Sequence, residues 1–571
     1  MSDAATAHGY SRSAMSRNTV HTPVLVVGGG SVGLCLGAEL GWRDVPCVVV
    51  EERDDINPHP RANSIASRTM EYCRRWGVAP RVTQCGIPPN VQLEYLWITR
   101  FQGHVLHRLS IPSYDSWETV RKQGGTMREE LMWSPYLKTI TGQNEFEGVI
   151  RDYVRSRPAV DLRLGWRFLG FEQSEHEVRS RIQRVSDGHE VTVVSRYLIA
   201  CDGGRSGVRQ ALGIRLSGEA DIARFMSIHF KAPGLVQCHA FGPAAIYFPL
   251  HRDHMGFLLN WDTGIHWTYH VHLKPGQAAE ALDPVEAIRG VLGRDTPIDV
   301  LSVQPWTAHA LVADRYRDGR VFLAGDAAHL FTPTGGFGMN TGVSDAVDLA
   351  WRLQALLQGW GGPALATSFE IERRPVGIRN TVEAARNYKE MRSVMGFGDE
   401  MDDETPEGER RRAELKRILV GQEKLLASFG VVLGYRYNNS PIIVPDGTPE
   451  PPDDARMYVP TGRPGHRAPH VWLDDATALM DHFGPGFNLL VFDGDASGDA
   501  ERFAALSQER GVPLHTLHLD HGEARRLYGA RFALVRPDLM MAWRGDAIPD
   551  PRHVLDTVTG HTGAAQGETQ D

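Results

Sequence analysis

Short apolar runs and a helical pattern alternate at the start of the chain. Residues 22–27 form an apolar, β-branched run, residues 34–41 follow a helical pattern, and residues 47–50 form a second apolar run that ends on Glu51. Two short buried strands with one helix between them are typical of a βαβ unit, in which the strands are parallel. The pattern therefore predicts an α/β unit near the amino terminus.

The middle of the chain changes to a period of two residues. Residues 191–194 and 197–200 predict strands, and residues 222–310 alternate strongly and are rich in aromatic residues. Such alternation predicts a largely antiparallel sheet. Together with strands and loops in residues 90–135, this sheet would form a second domain that is interleaved with the first inside residues 21–395.

A third unit with its own α/β alternation is predicted for residues 462–560. A charged and then proline-rich stretch, residues 396–461, precedes it and predicts a helical and proline-rich linker. Residues 1–20 are small and polar and predict a disordered arm, and residues 561–571 predict a polar tail. The predicted fold class is therefore α/β (α+β), with two interleaved domains followed by a separate small one.

Composition argues against several classes of partner. The 571 residues carry a formal net charge of −9, so the sequence indicates no broad basic surface for nucleic acid. No apolar run approaches the roughly 20 residues that a membrane-spanning helix needs. The six cysteines are scattered without a C-x-x-C pair, which predicts no metal site and no dithiol, but buried thiols in a reducing cytoplasm.

Three glycines follow the first predicted strand in the pattern G-x-G-x-x-G. Gly28 permits a tight turn, Gly30 lets the backbone approach a pyrophosphate, and Gly33 lets helix and strand pack closely. The following helix offers free N–H groups to phosphates. Glu51 lies about 20 residues beyond the glycines, where a carboxylate can bind an adenosine ribose. The arrangement predicts a dinucleotide site, and an ordinary glycine-rich turn is the alternative.

Two further strand-end motifs follow in order: Asp202-Gly203 with Arg209, and Gly325-Asp326 with a glycine-rich continuation. With these three motifs the chain resembles the group A flavoprotein aromatic hydroxylases. The resemblance extends through His59-Pro-Arg-Ala62 and Gly336-Phe-Gly-Met-Asn340. It implies a Rossmann-type FAD-binding domain that is interleaved with an antiparallel-sheet substrate domain.

The third unit resembles the thioredoxin-like domain of the phenol-hydroxylase branch, including Val535-Arg-Pro-Asp538 and Trp543-Arg544. Without a C-x-x-C pair it cannot perform dithiol chemistry. In that family the domain is a structural or dimer-forming appendage, so the resemblance implies a homodimer.

The resemblance implies a bound FAD and assigns residues to it. The three glycines would hold the pyrophosphate, Arg61 would reach a phosphate or the flavin edge, and Gln143 and Asp326 would bind the ribityl region. The loop at 336–340 would present N–H groups to the pyrimidine ring of the flavin. The candidate cofactor-binding residues are Gly28, Gly30, Ser31, Val32, Gly33, Glu51, Glu52, Arg53, Arg61, Ala62, Gln143, Asp202, Gly203, Arg209, Gly325, Asp326, Pro333, Gly336, Gly338, Met339 and Asn340.

The resemblance also implies the reaction. NADPH or NADH binds transiently and reduces the flavin, O₂ adds to give a flavin hydroperoxide, and this species hydroxylates a phenolic or related aromatic ring. A second G-x-G-x-x-G pattern is absent, in agreement with a nicotinamide cofactor that has no domain of its own. The partner is then a small aromatic substrate. A simple phenol, a hydroxybenzoate-like acid and a polyketide-type polycycle all remain open.

A group that activates the phenol is expected in the aromatic-rich sheet or in residues 59–67. The relatives of the phenol-hydroxylase branch carry an acidic residue near the position of Asn63, and an amide cannot serve as a base. The catalytic candidates are Asn63, Tyr247, His251 and His270, and the candidate walls of the substrate pocket are Trp261, Trp267 and Trp306.

Other enzyme classes share this cofactor fold. An FAD-dependent reductase or oxidase of the same superfamily and an inactive FAD-binding scaffold protein remain open. A flavin-dependent halogenase would need a Trp-x-Trp-x-Ile-Pro run, which the sequence lacks. Two positions depart from the family pattern: Glu52 stands where many relatives carry a basic residue, and Asp348 stands where many carry Asn.

Overall fold

The computed structural model describes residues 18–562 apart from Thr263, Arg294 and residues 424–425. Most of the predicted arm and tail therefore lies outside the described residues. The helices are α1 Ser31–Trp42, α2 Ser67–Arg75, α3 Ala79–Gln84, α4 Tyr114–Lys122, α5 Gln143–Arg155, α6 Gly207–Ala211, α7 Pro284–Leu292, α8 Phe337–Gln358, α9 Ala364–Ser393, α10 Pro406–Gly421, α11 Phe429–Val432, α12 Asp499–Glu509, α13 Gly522–Tyr528 and α14 Pro551–Val558.

Within these described residues, the strands form three large sheets and one small ribbon. They are β1 Thr19–Val27, β2 Cys47–Glu51, β3 Ser64–Ile65, β4 Leu93–Ile98, β5 Val105–Ile111, β6 Thr139–Ile140, β7 Val160–Leu164, β8 Trp166–Gln173, β9 Val178–Arg184, β10 Glu190–Ala200, β11 Leu216–Lys231, β12 Ile246–Pro249, β13 Gly256–Asn260, β14 His266–His272, β15 Asp299–Ala313, β16 Arg317–Asp318, β17 Val321–Leu323, β18 His329–Leu330, β19 Phe487–Phe492, β20 Leu514–Leu519, β21 Phe532–Val535 and β22 Met541–Gly545.

The first sheet has a parallel centre in the order β17-β10-β1-β2-β7. Its strands are almost continuously apolar because both faces are covered, and the residues from Val24 to Val27 are buried. The carboxyl ends of β1, β2, β10 and β17 meet at one edge of the sheet. The three sequence motifs follow three of these ends, at Gly28, Asp202 and Gly325. The sheet confirms the predicted Rossmann-type, mixed α/β fold.

The second sheet has the order β18-β15-β11-β14-β13-β12-β4-β5, and all its pairs are antiparallel except β12 with β4. All of its strands except β18 lie within or overlap the two predicted stretches, residues 90–135 and 222–310. Directly opposed residues of paired strands point to the same side of a sheet. One face carries Phe225, Ser227, His270 and Trp306, and the other packs against α7 around Ile288. We call the first of these the aromatic face.

The carboxyl-terminal unit holds a four-stranded sheet in the order β20-β19-β21-β22, in which only β19 and β20 are parallel. Its elements follow the chain as β19-α12-β20-α13-β21-β22-α14. The predicted thioredoxin-like fold of this unit and the predicted domain boundaries stay predictions.

The stretch at 396–461 is packed rather than loose. Leu415 and Leu419 of α10 are buried in the core beside the aromatic face, and Tyr435 and Tyr437 are buried between α9 and the carboxyl-terminal unit. No helix among the described residues has both the length and the apolar content to cross a membrane. In the same part of the chain, no three His, Cys, Asp or Glu side chains are grouped so that they could hold a metal ion.

Candidate active site

An open cleft of about 570 Å³ lies at the edge of the first sheet where the sequence motifs meet. The N-terminus of α1, the end of β2, the segment at 55–61 and the start of α5 surround it. It is lined by Gly29, Gly30, Leu34, Glu51, Arg53, Asp55, Ile56, Asn57, His59, Arg61, Gln143, Asn144, Glu147, Arg151 and Leu164.

Two of the three predicted glycines, Gly28 and Gly33, have no room for a side chain. A Cβ on Gly28, whose φ is +106°, would lie 2.2 Å from the carbonyl oxygen of Cys201, and a Cβ on Gly33 would lie 1.9 Å from the carbonyl oxygen of Gly28. Helix α1 therefore starts in contact with β1 and β10, and the backbone at Gly30 borders the cleft. This is the close approach that a dinucleotide pyrophosphate requires.

Two carboxylates accept hydrogen bonds from backbone N–H groups at the start of α1. Glu51 accepts a hydrogen bond from the Gly29 amide at 2.8 Å, and Glu147 of α5 accepts from both the amide and the hydroxyl of Ser31 at 2.8 Å. The amide nitrogen of the Gln143 side chain donates to the same oxygen of Glu147 at 2.7 Å. Sequence reasoning missed Glu147, although its spacing of one helical turn from Gln143 places both side chains on one face of α5.

Arg61 supplies positive charge to the cleft. The carboxylates of Glu51, Glu147 and Asp326 lie around its guanidinium, but within the part of the chain that the structure describes no hydrogen bond or ion pair engages this group. Ala62 is held by backbone hydrogen bonding to Gln143 at 2.9 Å. An exposed guanidinium in a cleft suits a phosphate.

Glu52 and Arg53, the two residues that follow Glu51, lie in different places. Arg53 lines the cleft, and its amide donates to Glu51 at 3.1 Å. Glu52 instead pairs with Arg167 at 2.7 Å outside the residues that line the cleft. The structure therefore brings Arg53, but not Glu52, to the candidate cofactor site.

The Asp202-Gly203 motif is joined to the Gly325-Asp326 motif by Arg209. The buried guanidinium donates to the carbonyl oxygens of Gly204 at 2.9 Å and Ala327 at 3.1 Å. One oxygen of Asp202 accepts from the Val208 amide at 3.2 Å. The other is buried and has no partner among the described residues, and burial raises the pKa of this carboxyl. An unpaired buried oxygen of this kind is suited to accept from a ligand hydroxyl.

Helix α8 fixes the Gly325-Asp326 turn through the side chain of Asp345. The Gly325 amide donates to Asp345 at 3.1 Å, and the same oxygen of Asp345 lies 2.7 Å from Nε2 of His329. Burial raises the pKa of Asp345, but Arg373 and His329 outweigh it and hold the pKa below its usual range. Gly325 has φ +61°, and Val32 of α1 packs against it. Asp326 itself is exposed at this edge.

Helix α8 begins at Phe337, directly after two left-handed glycines. The side chain of Asn340 is used by the protein: it accepts from the Ala66 amide and from Thr69, and it donates to the carbonyl oxygens of Ser64 and Gly336. Its role is thus to position the loop. Pro333 accepts from the Gly336 amide, and Gly338 and Met339 lie in the first turn of α8, where N–H groups lack helical partners.

His59 joins the cofactor cleft to the aromatic face. Its two ring nitrogens lie 2.8 Å from the hydroxyls of Ser227 and Ser302. Burial, His229 and Arg61 lower the pKa of His59 to about 4, so the ring is neutral near pH 7. The segment that carries Arg61 is therefore held against the second sheet by a neutral histidine.

The structure brings some of the predicted substrate-side residues to the aromatic face. Trp306 stacks on Phe225 with ring centroids 4.4 Å apart, and its indole N–H donates to His270 at 3.3 Å. Trp261 belongs to the same core and donates to Thr268 at 2.7 Å. Asn63 directly precedes β3, four residues after His59, and its carbonyl accepts from the Thr141 amide.

Three other candidates lie elsewhere. Tyr247 and Trp267 point to the opposite face of the sheet, where Tyr247 donates to the Gly242 carbonyl at 2.9 Å and burial raises its pKa. The position of a residue along its strand decides which face of the sheet its side chain occupies. The sequence did not show which residues of neighbouring strands share a face. His251 lies beside Phe397, and its Nε2 is 3.5 Å from Asp399.

Comparison with known proteins agrees with this geometry. A family model described as an FAD binding domain matches residues 21–384, and one described as "Aromatic-ring hydroxylase, C-terminal" matches residues 461–564. The chain belongs to the FAD-dependent aromatic-ring hydroxylases. As a member of this family it is a flavoprotein monooxygenase, which uses FAD, a reduced nicotinamide cofactor and O₂ to hydroxylate an aromatic ring.

Individual relatives cover almost the whole of this hydroxylase. Tetracenomycin A2 monooxygenase-dioxygenase of Streptomyces glaucescens is 31% identical over 97% of this chain and 99% of its own. Aklavinone 12-hydroxylase DnrF of Streptomyces peucetius is 33% identical over 82% and 91%. Among solved structures, RebC, soaked with chromopyrrolic acid and holding 7-carboxy-K252c, superposes with a TM-score of 0.86 at 35% identity, covering 95% of this chain and 99% of that one.

Proposed function

We propose that this hydroxylase acts on a planar, polycyclic aromatic substrate that carries phenolic or quinone oxygens. The observation that carries the proposal is the bridge from His59 to Ser227 and Ser302, because it places the aromatic face of the second sheet against the segment that lines the cofactor cleft. The stacked rings of Phe225, which is buried, and Trp306, which is partly exposed, lie on that face. Flat aromatic surfaces favour offset stacking with an aromatic ligand.

The known relatives support a polycyclic substrate. Tetracenomycin and aklavinone hydroxylases are among the sequence relatives, and a flavin-dependent monooxygenase, PieE, solved in complex with FAD and substrate, has a TM-score of 0.84 at 30% identity over 95% of this chain and 99% of its own. These names describe the relatives, and they guide the choice of probes for this chain.

The residues at the cleft fit an FAD. Gly28 and Gly33 allow the backbone approach. Within the described part of the chain, the guanidinium of Arg61 is unpaired and one buried oxygen of Asp202 has no partner. When bound, FAD supplies electron storage and oxygen activation. The N-terminal turn of α8 offers N–H groups and a positive dipole end, which would favour negative charge on a bound flavin ring.

The protein's own contribution is placement and exclusion of water. His59 fixes the segment that carries Arg61, and Asn340 fixes the loop before α8. The apolar side chains between the aromatic face and helices α9 and α10, among them Tyr388, Met391 and Leu415, exclude water on the substrate side. A dry site protects reactive species from hydrolysis and side reactions.

Isotope labelling tests the proposed function. The FAD-loaded protein is supplied with NADPH and ¹⁸O₂ together with naphthols and hydroxyanthraquinones, and the products are analysed by mass spectrometry. We expect one ¹⁸O atom in a hydroxylated ring product, and none when the label is supplied as H₂¹⁸O. Oxidised or reduced products without ¹⁸O from O₂ would contradict the proposal and favour a reductase or oxidase.

We also propose that the chain forms a homodimer in a reducing cytoplasm. The dimer follows from the resemblance of the carboxyl-terminal unit, and the compartment is supported by Cys35, Cys47, Cys73, Cys85 and Cys201, which are all free thiols. Light scattering on the FAD-loaded protein tests the dimer, which predicts about twice the chain mass of 63.4 kDa.

A further inference from the structure

Three polar residues form a row across adjacent strands of the aromatic face. Gln304 of β15, Ser227 of β11 and His270 of β14 lie directly opposite one another in the pairing. Apolar rings surround this row: Phe257 stacks on His270 with centroids 4.5 Å apart, and Trp306 stacks on Phe225 at 4.4 Å. Polar groups inside such a surface need partners.

The first two members of the row are satisfied by the segment that lines the cofactor cleft. The side-chain amide of Gln304 donates to Asn57 at 3.4 Å, and the hydroxyl of Ser227 lies 2.8 Å from Nε2 of His59. His270 lies one strand further along. Its Nε2 is buried and has no hydrogen-bond partner among the residues that the structure describes, while the residue as a whole is 4% exposed.

The hydrogen bond from Trp306 fixes the tautomer of His270. An indole nitrogen can only donate, so Nδ1 of His270 must accept, and the ring proton of the neutral imidazole is on Nε2. Burial and the nearby His59 lower the pKa of His270 to about 3, so the ring stays neutral across the working range of pH. The buried Nε2–H is therefore a donor without an acceptor among the described residues, and the ring cannot act as a general base near pH 7.

We infer that the Nε2–H of His270 donates a hydrogen bond to an oxygen of the aromatic substrate, and that it selects polycyclic rings with a phenol, phenolate or quinone oxygen at this position. The inference rests on the proposed function and deepens it. A ring that lacks this oxygen leaves the buried donor unpaired and therefore binds more weakly. His270 is thus a specificity-determining residue that also orients the ring on the aromatic face.

Matched probes test this role. The FAD-loaded protein is titrated with 1-naphthol and with 1-methylnaphthalene, which replaces the hydroxyl by a methyl group, and binding is followed by the change in flavin absorbance. We expect wild type to prefer 1-naphthol by about 10- to 100-fold, the ratio that one unpaired buried donor gives. His270→Phe keeps the ring but has no donor, and its preference should fall to about 2-fold or less.

Two further variants control for packing. His270→Gln keeps an N–H donor near the position of Nε2 and should retain part of the preference. Trp306→Phe keeps the stacking on Phe225 but no longer fixes the tautomer, so its preference should lie between those of wild type and His270→Phe. These two variants carry the test if His270→Phe fails to fold, as judged by its melting temperature.

The outcomes separate the inference from the proposed function. A wild-type protein that hydroxylates 1-naphthol, with a His270→Phe variant that keeps the full preference, overturns the role of His270 alone. A fall in FAD affinity in His270→Phe, with unchanged naphthol preference, assigns the donor to a cofactor oxygen and also overturns it. Equal or absent binding of both probes by wild type contradicts the inference together with the proposed substrate class.

Discussion

Asp348 of helix α8 accepts a hydrogen bond at 3.1 Å from Arg536, which lies in the loop after β21 of the carboxyl-terminal unit, and both side chains are buried. Arg536 also pairs with Glu372 of α9 and with Asp538, and Arg352 bonds to Asp348 from the next turn of α8. This network joins the carboxyl-terminal unit to the helix that begins at the cofactor loop. The unit thereby supports the position of α8.

The loss of Arg536 should destabilise the whole protein. Arg536→Met removes the charge that offsets Asp348, Glu372 and Asp538, and breaking one partner out of a buried ionic network costs roughly 3–5 kcal/mol. We expect a lower free energy of unfolding in urea, with faster loss of FAD on heating. Arg526→Ala, at an exposed position of α13, is the control and should stay within about 0.5 kcal/mol of wild type. A variant at Arg536 that unfolds like this control would show that the network does not stabilise the interface.

Asp348 should make stability depend on pH. Burial, with Glu372 and Asp538 alongside, raises the pKa of this carboxyl to about 7, although Arg352 and Arg536 act in the opposite direction. The folded protein then holds a proton that the unfolded chain has already released above about pH 4. The contribution of Asp348 to the free energy of unfolding therefore falls as pH rises from about 4 to about 7, with a slope of at most about 1.4 kcal/mol per pH unit.

Asp348→Asn has no such proton. The difference in unfolding free energy, variant minus wild type, should therefore increase between about pH 4 and pH 7 and level off above. The pKa of Asp538 is held at about 2, mainly by Arg536 against the effect of burial, so Asp538 does not titrate in this window. Urea unfolding at several pH values measures the difference, with Asp475→Asn as an exposed control. A difference that does not change with pH would contradict the raised pKa.

Gly33 should not accept a side chain. In Gly33→Ala the Cβ would lie 1.9 Å from the carbonyl oxygen of Gly28, so the glycine loop must shift. Overpacking of this kind costs about 1–3 kcal/mol or more, and FAD affinity should fall with it. Gly421→Ala is the matched control, because a Cβ there meets no described residue within 4 Å at the end of α10. FAD titration by fluorescence measures both variants, and equal affinities would contradict the assigned cofactor site.

Arg61 should contribute to the affinity for FAD. A hydrogen bond to a charged partner contributes about 1.5–3 kcal/mol, so Arg61→Ala should weaken FAD binding by about 10- to 100-fold. Arg61→Lys keeps the charge but not the planar fork of the guanidinium, so its FAD affinity should lie between those of wild type and Arg61→Ala. Arg215, of which 87% of the side chain is exposed, supplies the control Arg215→Ala. Unchanged FAD affinity in Arg61→Ala would place this guanidinium outside the cofactor site.

The cofactor half of the fold was predictable because local rules decide it. The glycine spacing, the strand before it and the acid at the end of β2 are neighbours in sequence, and parallel strands bring their carboxyl ends to one edge. Gln143 was predictable from the resemblance. Glu147 was not, because its partner Ser31 is 116 residues away in sequence.

The substrate half was less predictable because it depends on sheet register. The period of two predicted the strands, but a shift of one residue exchanges the two faces of a sheet. Tyr247 and Trp267 therefore could not be separated from His270 and Trp306 by sequence. Asp348 likewise was only a departure from the family pattern until its partner Arg536, 188 residues away, was placed beside it.

Coupled oxidation of the nicotinamide cofactor tests the central claim most directly. The FAD-loaded protein is given NADPH or NADH in air, with and without polycyclic phenols, and both the nicotinamide consumed and the peroxide released are counted. We expect one phenol to raise the consumption rate many-fold with little peroxide and one hydroxylated product per nicotinamide. Consumption that no aromatic ring accelerates, or that emerges wholly as peroxide, would contradict the assignment as an aromatic hydroxylase.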